Sequence, residues 1–314
     1  MKVFHILNPG PVSTIQDSGR FGYLRYGMAP AGAMDEVAYQ LGNHILGNPP
    51  DAAAIEFALM GPEVEVLQET FIVVSGGSCD IVVKGESGFS MYTPIKLLPG
   101  DKVSIPQVKD GIRGYLNVAG GINVPLKMNS RATYLRGRIG GIDGRCLEEG
   151  DVIHAFPESS TRGKPLPSSK WPKYPPPYKV DVILGPQDHL FSKKGVETFL
   201  SEEYRISWEA DRMGYRLKGP EISHRDKADI ISDGIPLGAV QVPGHRQPII
   251  MMKDRQTTGG YPKIATVASY EISKLGQARP GSSIFFNQVT LEEARDKSRQ
   301  HKEWFQGLVN AIKK

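Results

Sequence analysis

The sequence has few cysteines and lacks a long apolar run, and both absences narrow the class of protein. Only Cys79 and Cys146 occur among the 314 residues, and neither lies in a CxxC pair or a zinc-like spacing. Two separate thiols in a reducing compartment are favoured over a disulfide. No apolar stretch approaches the roughly 20 residues that span a bilayer, and the N-terminal apolar run is too short for a signal peptide. The sequence therefore predicts a cytoplasmic protein without a membrane span.

A strong charge bias and the common nucleotide and metal motifs are also missing. The formal net charge is +4, from 38 Lys and Arg against 34 Asp and Glu, which is too small and too evenly spread to indicate nucleic-acid binding. No Walker-type loop, Rossmann glycine spacing or Gly-x-Ser-x-Gly elbow occurs. The seven histidines form no HxH or HExxH pair, so a metal site has no support in the sequence.

Glycine and proline are abundant, with 35 and 24 residues, and they separate many short apolar segments. This pattern predicts a mainly β protein with barrel-like domains. Asp35 is expected to cap one helix that ends at Gly47. Thr290 and Glu293 form the capping box of a C-terminal helix. We expect the polar segment 13–22 to be a loop.

Proline clusters between residues 158 and 178 indicate an interdomain linker, partly in polyproline II conformation. Four short segments recur in the same order on either side of it, among them Leu59–Val64 and Leu217–Ile222, which favours a duplicated β domain. The predicted organisation is a first β-barrel over residues 1–157 with one inserted helix, the linker 158–178, a second barrel over 179–290 and a helix over 291–314.

One stretch, Asp254–Pro262, carries more functional groups than a turn requires. It combines a carboxylate, a guanidinium, an amide, two hydroxyls, paired glycines and a phenol after an apolar strand. Glycines beside hydroxyls leave backbone N–H groups free to converge on an anion. The alternative interpretation is a polar hairpin loop, in which the glycines and the proline serve only the turn.

Three other polar loops are candidates for the same site. Asp17 and Arg20 in the first loop can orient each other or hold a carboxylate, or they form an ion pair of little energetic weight. Arg212 lies in a loop whose arginines suit bidentate anion binding, although a charged turn has the same composition. Gln241 precedes the strand that leads into Asp254–Pro262.

Several motifs resemble the allophanate-hydrolase subunit 2 family, and they keep their order over nearly the whole chain. Members include the C subunit of the bacterial ATP-dependent 5-oxoprolinase, also called the antagonist of a sporulation-kinase inhibitor, and half of the carboxyltransferase region of urea amidolyase. The segments are Gln16-Asp17-x-Gly-Arg20-x-Gly22, Gly32–Asp35, Gly42-Asn43 with Gly47-Asn48, Tyr115–Gly121, Arg212–Gly214, Gln241–Pro243 and Asp254–Pro262.

The resemblance implies two tandem cyclophilin-like β-barrels. It also implies two partner chains, a kinase-inhibitor-like subunit 1 (the B subunit of 5-oxoprolinase) and a lactam-utilisation-type chain (the A subunit). It further implies ATP, used by the complex and not necessarily bound by this chain, and a small lactam substrate. The absence of a biotin-carrying tetrapeptide and of a fused subunit 1 favours a separate subunit over a piece of urea amidolyase.

The expected activity is hydrolysis of a cyclic amide, 5-oxo-L-proline, to L-glutamate. The alternatives are carboxyl transfer from carboxybiotin to a small amide and a non-catalytic role in binding a kinase inhibitor. Asp254, Tyr261 and Asp17 are the expected catalytic groups. The residues expected to bind substrate or developing negative charge are Arg20, Arg212, Gln241, Gln256, Thr257, Thr258, Gly259 and Gly260.

Overall fold

The computed structural model describes residues 1–158 and 162–313, which fall into two compact units. The first unit comprises Met1–Phe21, Ala31–Tyr174 and the C-terminal residues from Trp304. The second comprises Gly22–Pro30 and Pro175–Glu303. The chain therefore passes between the units more than once.

The first unit is built from two five-stranded sheets around one core. The strand orders of the two sheets are β10-β1-β4-β8-β6 and β2-β3-β9-β5-β7. Apolar side chains from both sheets form a single buried cluster. The strands are β1 (Lys2–Asn8), β2 (Val12–Gln16), β3 (Ala54–Ala58), β4 (Glu63–Val66), β5 (Thr70–Cys79), β6 (Val82–Val83), β7 (Ile95–Leu97), β8 (Lys102–Ser104), β9 (Val108–Val118) and β10 (Val152–His154).

Helix α1 (Glu36–Leu46) packs on β5 and β9 of this unit. It begins where predicted, because the Asp35 side chain accepts a hydrogen bond from the Ala38 N–H at 3.1 Å. It ends at Gly47, whose left-handed conformation (φ 71°) closes the helix at no steric cost to glycine.

The second unit contains a closed seven-stranded barrel in the order β11-β18-β15-β16-β13-β12-β19, together with a two-stranded ribbon of β14 and β17. The strands are β11 (Tyr178–Leu184), β12 (Tyr204–Ile206), β13 (Gly214–Lys218), β14 (Asp233–Gly234), β15 (Ala239–Gln241), β16 (Ile249–Met251), β17 (Thr258–Gly259), β18 (Lys263–Val267) and β19 (Ser283–Gln288).

Three further α-helices occur in the described chain: α2 (Lys193–Ser201), α3 (Ile272–Gly276) and α4 (Leu291–Lys313). The capping box of α4 forms as predicted. The backbone N–H of Thr290 donates to the Glu293 carboxylate at 2.7 Å, and the Glu293 N–H donates to Thr290 Oγ1 at 3.2 Å. Within residues 1–158 and 162–313, no helix combines the length and the apolar character needed to cross a membrane.

The mainly β class and the C-terminal helix are confirmed, but the predicted loop at 13–22 is partly wrong. Its first residues belong to β2, which pairs with β3 from Val12 to Gln16. The buried polar side chains of this strand have partners: Ser13 Oγ donates to the Pro9 carbonyl, and Gln16 Nε2 donates to Thr14 Oγ1 and to the Thr133 carbonyl. Satisfied hydrogen bonds thus allow a polar sequence inside a sheet.

The segment predicted as a linker is largely packed into the first unit. Leu166 is buried in the core of that unit, and Trp171 lies against the same cluster and donates Nε1–H to the Leu166 carbonyl at 2.8 Å. The Tyr174 hydroxyl donates to Asp35 Oδ2 at 2.6 Å. Single apolar residues between prolines therefore anchor this segment. Residues 159–161 of the predicted linker, and residue 314 of the predicted helix, lie outside the described residues.

The first and last strands pair in each unit, but not in the same direction. β1 pairs antiparallel with β10, whereas β11 pairs parallel with β19. The repeated segments of the sequence therefore occupy units with different strand connections. The duplication itself stays a prediction.

Candidate functional site

The stretch Asp254–Pro262 lies in the second unit and follows β16 out of the barrel. Two backbone hydrogen bonds extend the β13–β16 pairing past the end of the strand, from the Met252 N–H to the Met213 carbonyl and from the Asp254 N–H to the Arg212 carbonyl, both at 2.8 Å. The loop that carries Arg212 and the loop that carries Asp254 are therefore held side by side.

Arg212 and Asp254 form a buried bidentate ion pair. Arg212 Nε donates to Asp254 Oδ2 and Nη2 donates to Oδ1, each at 3.0 Å. Arg212 is 9% exposed and Asp254 is 4% exposed. The planar guanidinium fits both carboxylate oxygens at once, so the pair fixes the orientation of each side chain. The structure thus joins two predicted site residues as partners.

Arg255 is buried next to this pair and lies over the loop before β15. Its Nε donates to the Ile235 carbonyl at 2.9 Å and its Nη1 donates to the Met252 carbonyl at 3.3 Å. Burial lowers the pKa of the Arg255 guanidinium to about 10, because desolvation penalises the charged form. A cation in these surroundings attracts negative charge strongly.

Two glutamine amides converge beside Gly259. A methyl group added at Gly259 would lie 3.3 Å from Gln241 Nε2, 3.6 Å from Gln256 Nε2 and 2.8 Å from Ile235 Cδ1. Gln241, which is 1% exposed, donates Nε2–H to the Tyr261 carbonyl at 3.1 Å. The bare backbone of Gly259 therefore lets two predicted binding residues approach the same point.

The hydroxyls of the stretch face outward more than its charges do. Thr258 is exposed and Tyr261 is 42% exposed, while Gln256 and Thr257 are half-buried. β17 pairs with β14 through Gly234 and Thr258. The loop therefore presents a hydroxyl and a phenol at the surface, whereas the Arg212–Asp254 ion pair and the Gln241 amide are buried. This arrangement suits binding and orientation of a small polar molecule.

A second ion pair lies under the ribbon, and no motif of the sequence indicates it. Lys263 is 1% exposed and its Nζ donates to Asp233 Oδ2 at 2.9 Å. Gln187 accepts from the Lys263 N–H at 3.0 Å and donates to the same carboxylate at 3.3 Å. The hydrogen bond from Lys263 lowers the pKa of Asp233. This contact fastens the β14–β17 ribbon to the barrel.

The other predicted site residues, Asp17 and Arg20, lie in the first unit. Asp17 Oδ1 accepts from the Gly19 N–H and from Ser130 Oγ, both at 2.8 Å, and Oδ2 accepts from the Arg131 N–H at 2.5 Å. Arg20 is fully buried and donates to the carbonyls of Lys127 and Ala132, at 3.3 and 2.6 Å. Both side chains hold the segment 127–132 in place.

A groove of about 860 Å³ lies beside that segment, also within the first unit. Segments 123–128, 138–144 and 152–154 contribute its lining, with exposed Lys127 and Arg138 at its surface. In the part of the chain that the structure describes, no three His, Cys, Asp or Glu side chains cluster in a way that would hold a metal ion. A cleft formed by loops of both units stays a prediction.

The fold agrees with what comparison with known proteins finds. The model of the family described as carboxyltransferase domain, subdomain A and B, matches residues 26–288. The chain belongs to this carboxyltransferase-domain family. The match includes Arg212, Gln241 and the whole of Asp254–Pro262, and it excludes Asp17 and Arg20. The predicted relationship to the C subunit of 5-oxoprolinase and to urea amidolyase is confirmed by the relatives of this carboxyltransferase-domain protein.

Two relatives match over nearly their full length. The chain is 36% identical to the 5-oxoprolinase C subunit of Haemophilus influenzae, over 94% of each chain, and 32% identical to the 5-oxoprolinase C subunit of Escherichia coli, over 97% of each chain. The solved urea amidolyase of K. lactis is 30% identical, with a TM-score of 0.92 over 98% of this chain. This carboxyltransferase-domain chain corresponds to 20% of that structure.

Proposed function

We propose that this chain is the C subunit of an ATP-dependent 5-oxoprolinase, which hydrolyses 5-oxo-L-proline to L-glutamate in the cytoplasm. The observation that carries the proposal is the pair of near full-length relatives bearing that name, which this chain covers to 94% and 97%. It covers only 17% of the urea amidolyase of Lachancea kluyveri. The 5-oxoprolinase C subunit is therefore the relative that this chain matches over nearly its whole length.

The reaction adds water to the lactam carbonyl carbon and breaks the C–N bond, and the ring nitrogen gains a proton to become an amino group. In the proposal, the Thr257–Gly260 backbone and hydroxyls bind the charge that develops on the carbonyl oxygen. Tyr261 exchanges or orients a proton. Asp254 acts through Arg212 by fixing the position of the loop, since both its oxygens accept from that guanidinium.

ATP is assigned to the complex and not to the loop cluster around Asp254. A triphosphate needs several converging donors with capacity to spare. Here Arg212 donates to Asp254, Arg255 donates to backbone carbonyls and Lys263 donates to Asp233. These donors serve protein groups, so the cluster does not fit a triphosphate. We place nucleotide chemistry on a partner, either the kinase-inhibitor-like B subunit or the lactam-utilisation-type A subunit.

The test is reconstitution from three purified chains. We expect this chain, mixed with the two partner subunits, 5-oxo-L-proline and ATP, to release glutamate, and we expect no release when it is omitted. Tyr261→Phe, which removes only the phenol oxygen, should lower the rate in a complex that still co-purifies. The proposal is wrong if the complete mixture releases no glutamate, or if it does so equally well without this chain.

Carboxyl transfer from carboxybiotin to a small amide is the second candidate, because the K. lactis urea amidolyase superposes on 98% of this chain. It requires a biotinylated partner. Streptavidin capture from cells of the source organism should then retain this chain. If this chain is absent from the captured proteins and the three-subunit mixture releases glutamate, the result supports hydrolysis over carboxyl transfer.

A further inference from the structure

A small pocket in the first unit is separate from the large groove and is lined by family motifs that have no role so far. It has a volume of about 310 Å³, near the lower end of the roughly 300–1,000 Å³ typical of ligand sites. Its lining includes Gly47 and Asn48 after α1, and the double glycine Gly120-Gly121 after β9. The size suits a small metabolite and not a nucleotide.

Arg131 supplies the positive side of this pocket. Its guanidinium stacks on the Phe156 ring, with Cζ 4.9 Å from the ring centroid. Its Nε is buried and donates to no group in the described part of the chain. A buried donor without an acceptor costs about 1–3 kcal/mol. The Arg131 backbone N–H, by contrast, is fixed by Asp17 at 2.5 Å. The residue is therefore anchored through its backbone and has an unused donor, Nε, in its guanidinium group.

The negative side of the pocket is formed by the C-terminal end of α1 and by Asp51. Gly47 and Asn48, which follow the last turn of this 11-residue helix, line the pocket, and the C-terminal end of a helix carries partial negative charge. Asp51 lines the same pocket and is exposed. The pocket thus offers one cation and one carboxylate, which suits a ligand with an anion and an N–H donor on one small frame.

The double glycine Gly120-Gly121 allows its backbone to pack closely against Phe156 and Ala52 in the pocket wall. A Cβ at Gly120 (φ 84°) would lie 2.1 Å from the Phe156 carbonyl oxygen, and a Cβ at Gly121 (φ 75°) would lie 2.7 Å from Ala52 Cβ. Neither position accepts a side chain. Asn48 fastens the turn, since its Oδ1 accepts from the Gly120 N–H and its Nδ2 donates to the Val118 carbonyl, both at 2.8 Å.

We propose that this pocket binds a small carboxylate that also carries an N–H donor, with the carboxylate on Arg131 and the N–H toward Asp51. The chemical class comprises α-amino acids and their lactams, of which 5-oxo-L-proline and L-glutamate are the members named in the proposed reaction. The choice of these two probes rests on the proposed function. The carboxylate and N–H requirement rests on Arg131, Asp51 and the end of α1.

The test is titration calorimetry, together with saturation-transfer NMR, on the purified full chain. We expect the chain to bind each of the three probes, 5-oxo-L-proline, L-glutamate and L-proline. Two analogues isolate the two contacts. 2-Pyrrolidinone lacks the carboxylate, and 5-oxotetrahydrofuran-2-carboxylate has oxygen in place of the ring N–H. Each should bind at least tenfold more weakly than 5-oxo-L-proline, because each loses a charge-assisted hydrogen bond.

Two variants locate the binding within the pocket. Arg131→Gln keeps the backbone N–H that donates to Asp17 and should raise the dissociation constant of 5-oxo-L-proline at least tenfold. Asp51→Asn, at an exposed position, should raise it by a smaller factor and should leave the unfolding temperature unchanged. Arg138→Gln is the matched control, since this exposed arginine lines the other groove. The affinity of this variant for 5-oxo-L-proline should equal that of the unaltered chain.

The inference is overturned if none of the three amino-acid probes binds, or if both Arg131→Gln and Asp51→Asn bind as tightly as the unaltered chain. Its failure is distinguishable from failure of the proposed function. Glutamate release by the three-subunit complex without Arg131-dependent binding rejects the pocket alone. Arg131-dependent binding of L-proline without glutamate release rejects the hydrolase and retains the pocket.

Discussion

Arg212 and Asp254 show that a pair of side chains with catalytic potential can serve first to hold a loop. Both are nearly buried, and both carboxylate oxygens accept from the guanidinium. Removing one partner of a buried pair leaves an uncompensated charge and costs about 3–5 kcal/mol, whereas replacing both with apolar residues costs much less.

We therefore expect Asp254→Ala to lower the free energy of unfolding by about 3–5 kcal/mol. The double variant Arg212→Met, Asp254→Leu should lose clearly less free energy of unfolding than the sum of the losses in the single variants Arg212→Met and Asp254→Leu. Urea denaturation measures both. The control is the exposed pair of Arg246 and Glu221, at 3.2 Å with side chains 52% and 65% exposed, where Glu221→Gln should change stability by less than about 1 kcal/mol. Additive losses in the double variant would contradict the interpretation.

Individual residues differ in how far the sequence identifies them. Asp254, Arg212 and Gln241 stand out because their loops combine glycine with more charged and amide groups than a turn requires. Lys263 and Arg131 do not stand out. A lysine at the start of a strand and an arginine in a polar loop are ordinary, and only their burial shows that one is paired and that the other has an unused donor.

At the level of elements, the β14–β17 ribbon carries the exposed part of the candidate site. Gly259 in β17 faces Ile235 and the amides of Gln241 and Gln256, and Gly234 in β14 has no atom within 4 Å of its Cβ position. The two glycines lie on paired strands, yet only one has a reason to be glycine. This asymmetry allows a matched test.

We expect Gly259→Ala to destabilise the chain by about 1–3 kcal/mol through overpacking, and to lower the activity of the reconstituted complex by displacing Ile235 and Gln241. Gly234→Ala should leave both unchanged. Thermal unfolding and the glutamate assay provide the two measurements. Equal behaviour of the two variants would show that the spacing around Gly259 does not matter.

Elements with a local signature are predictable from the sequence, and elements that depend on distant contacts are not. Asp35, Gly47 and the pair of Thr290 and Glu293 mark helix ends by hydrogen bonds within a few residues. The sequence of β2 is polar and typical of a loop. It forms a strand because its polar side chains find partners as distant as Thr133. Helix α2 is not identified from the sequence, because it has only nine residues and buries only Gly195 and Phe199.

At the level of the whole molecule, α4 belongs to both units. Its residues up to Glu303 are part of the second unit, and those from Trp304 are part of the first. Leu308 and Ile312 lie in the core cluster of the first unit. The Lys164 N–H donates to the Ile312 carbonyl at 2.7 Å. These apolar side chains of α4 are thus part of the core of the first unit.

Ile312→Ala should therefore destabilise the first unit by about 2–5 kcal/mol, the range for deleting a buried aliphatic side chain. Asn310→Ala, exposed in the same turn of α4, should have little effect. Hydrogen exchange locates the loss. We expect faster exchange in β5 and β9 for Ile312→Ala and unchanged exchange in β13 and β16. Uniform acceleration in all four strands would show that the two units unfold together.

The double membership of α4 also sets an order of events during synthesis. A domain usually folds as it leaves the ribosome, N-terminal part first. Here most of the first unit emerges early, but Leu308 and Ile312 emerge only after the whole second barrel. The first core stays open at the place these side chains fill, so the unit translated first is the one completed last.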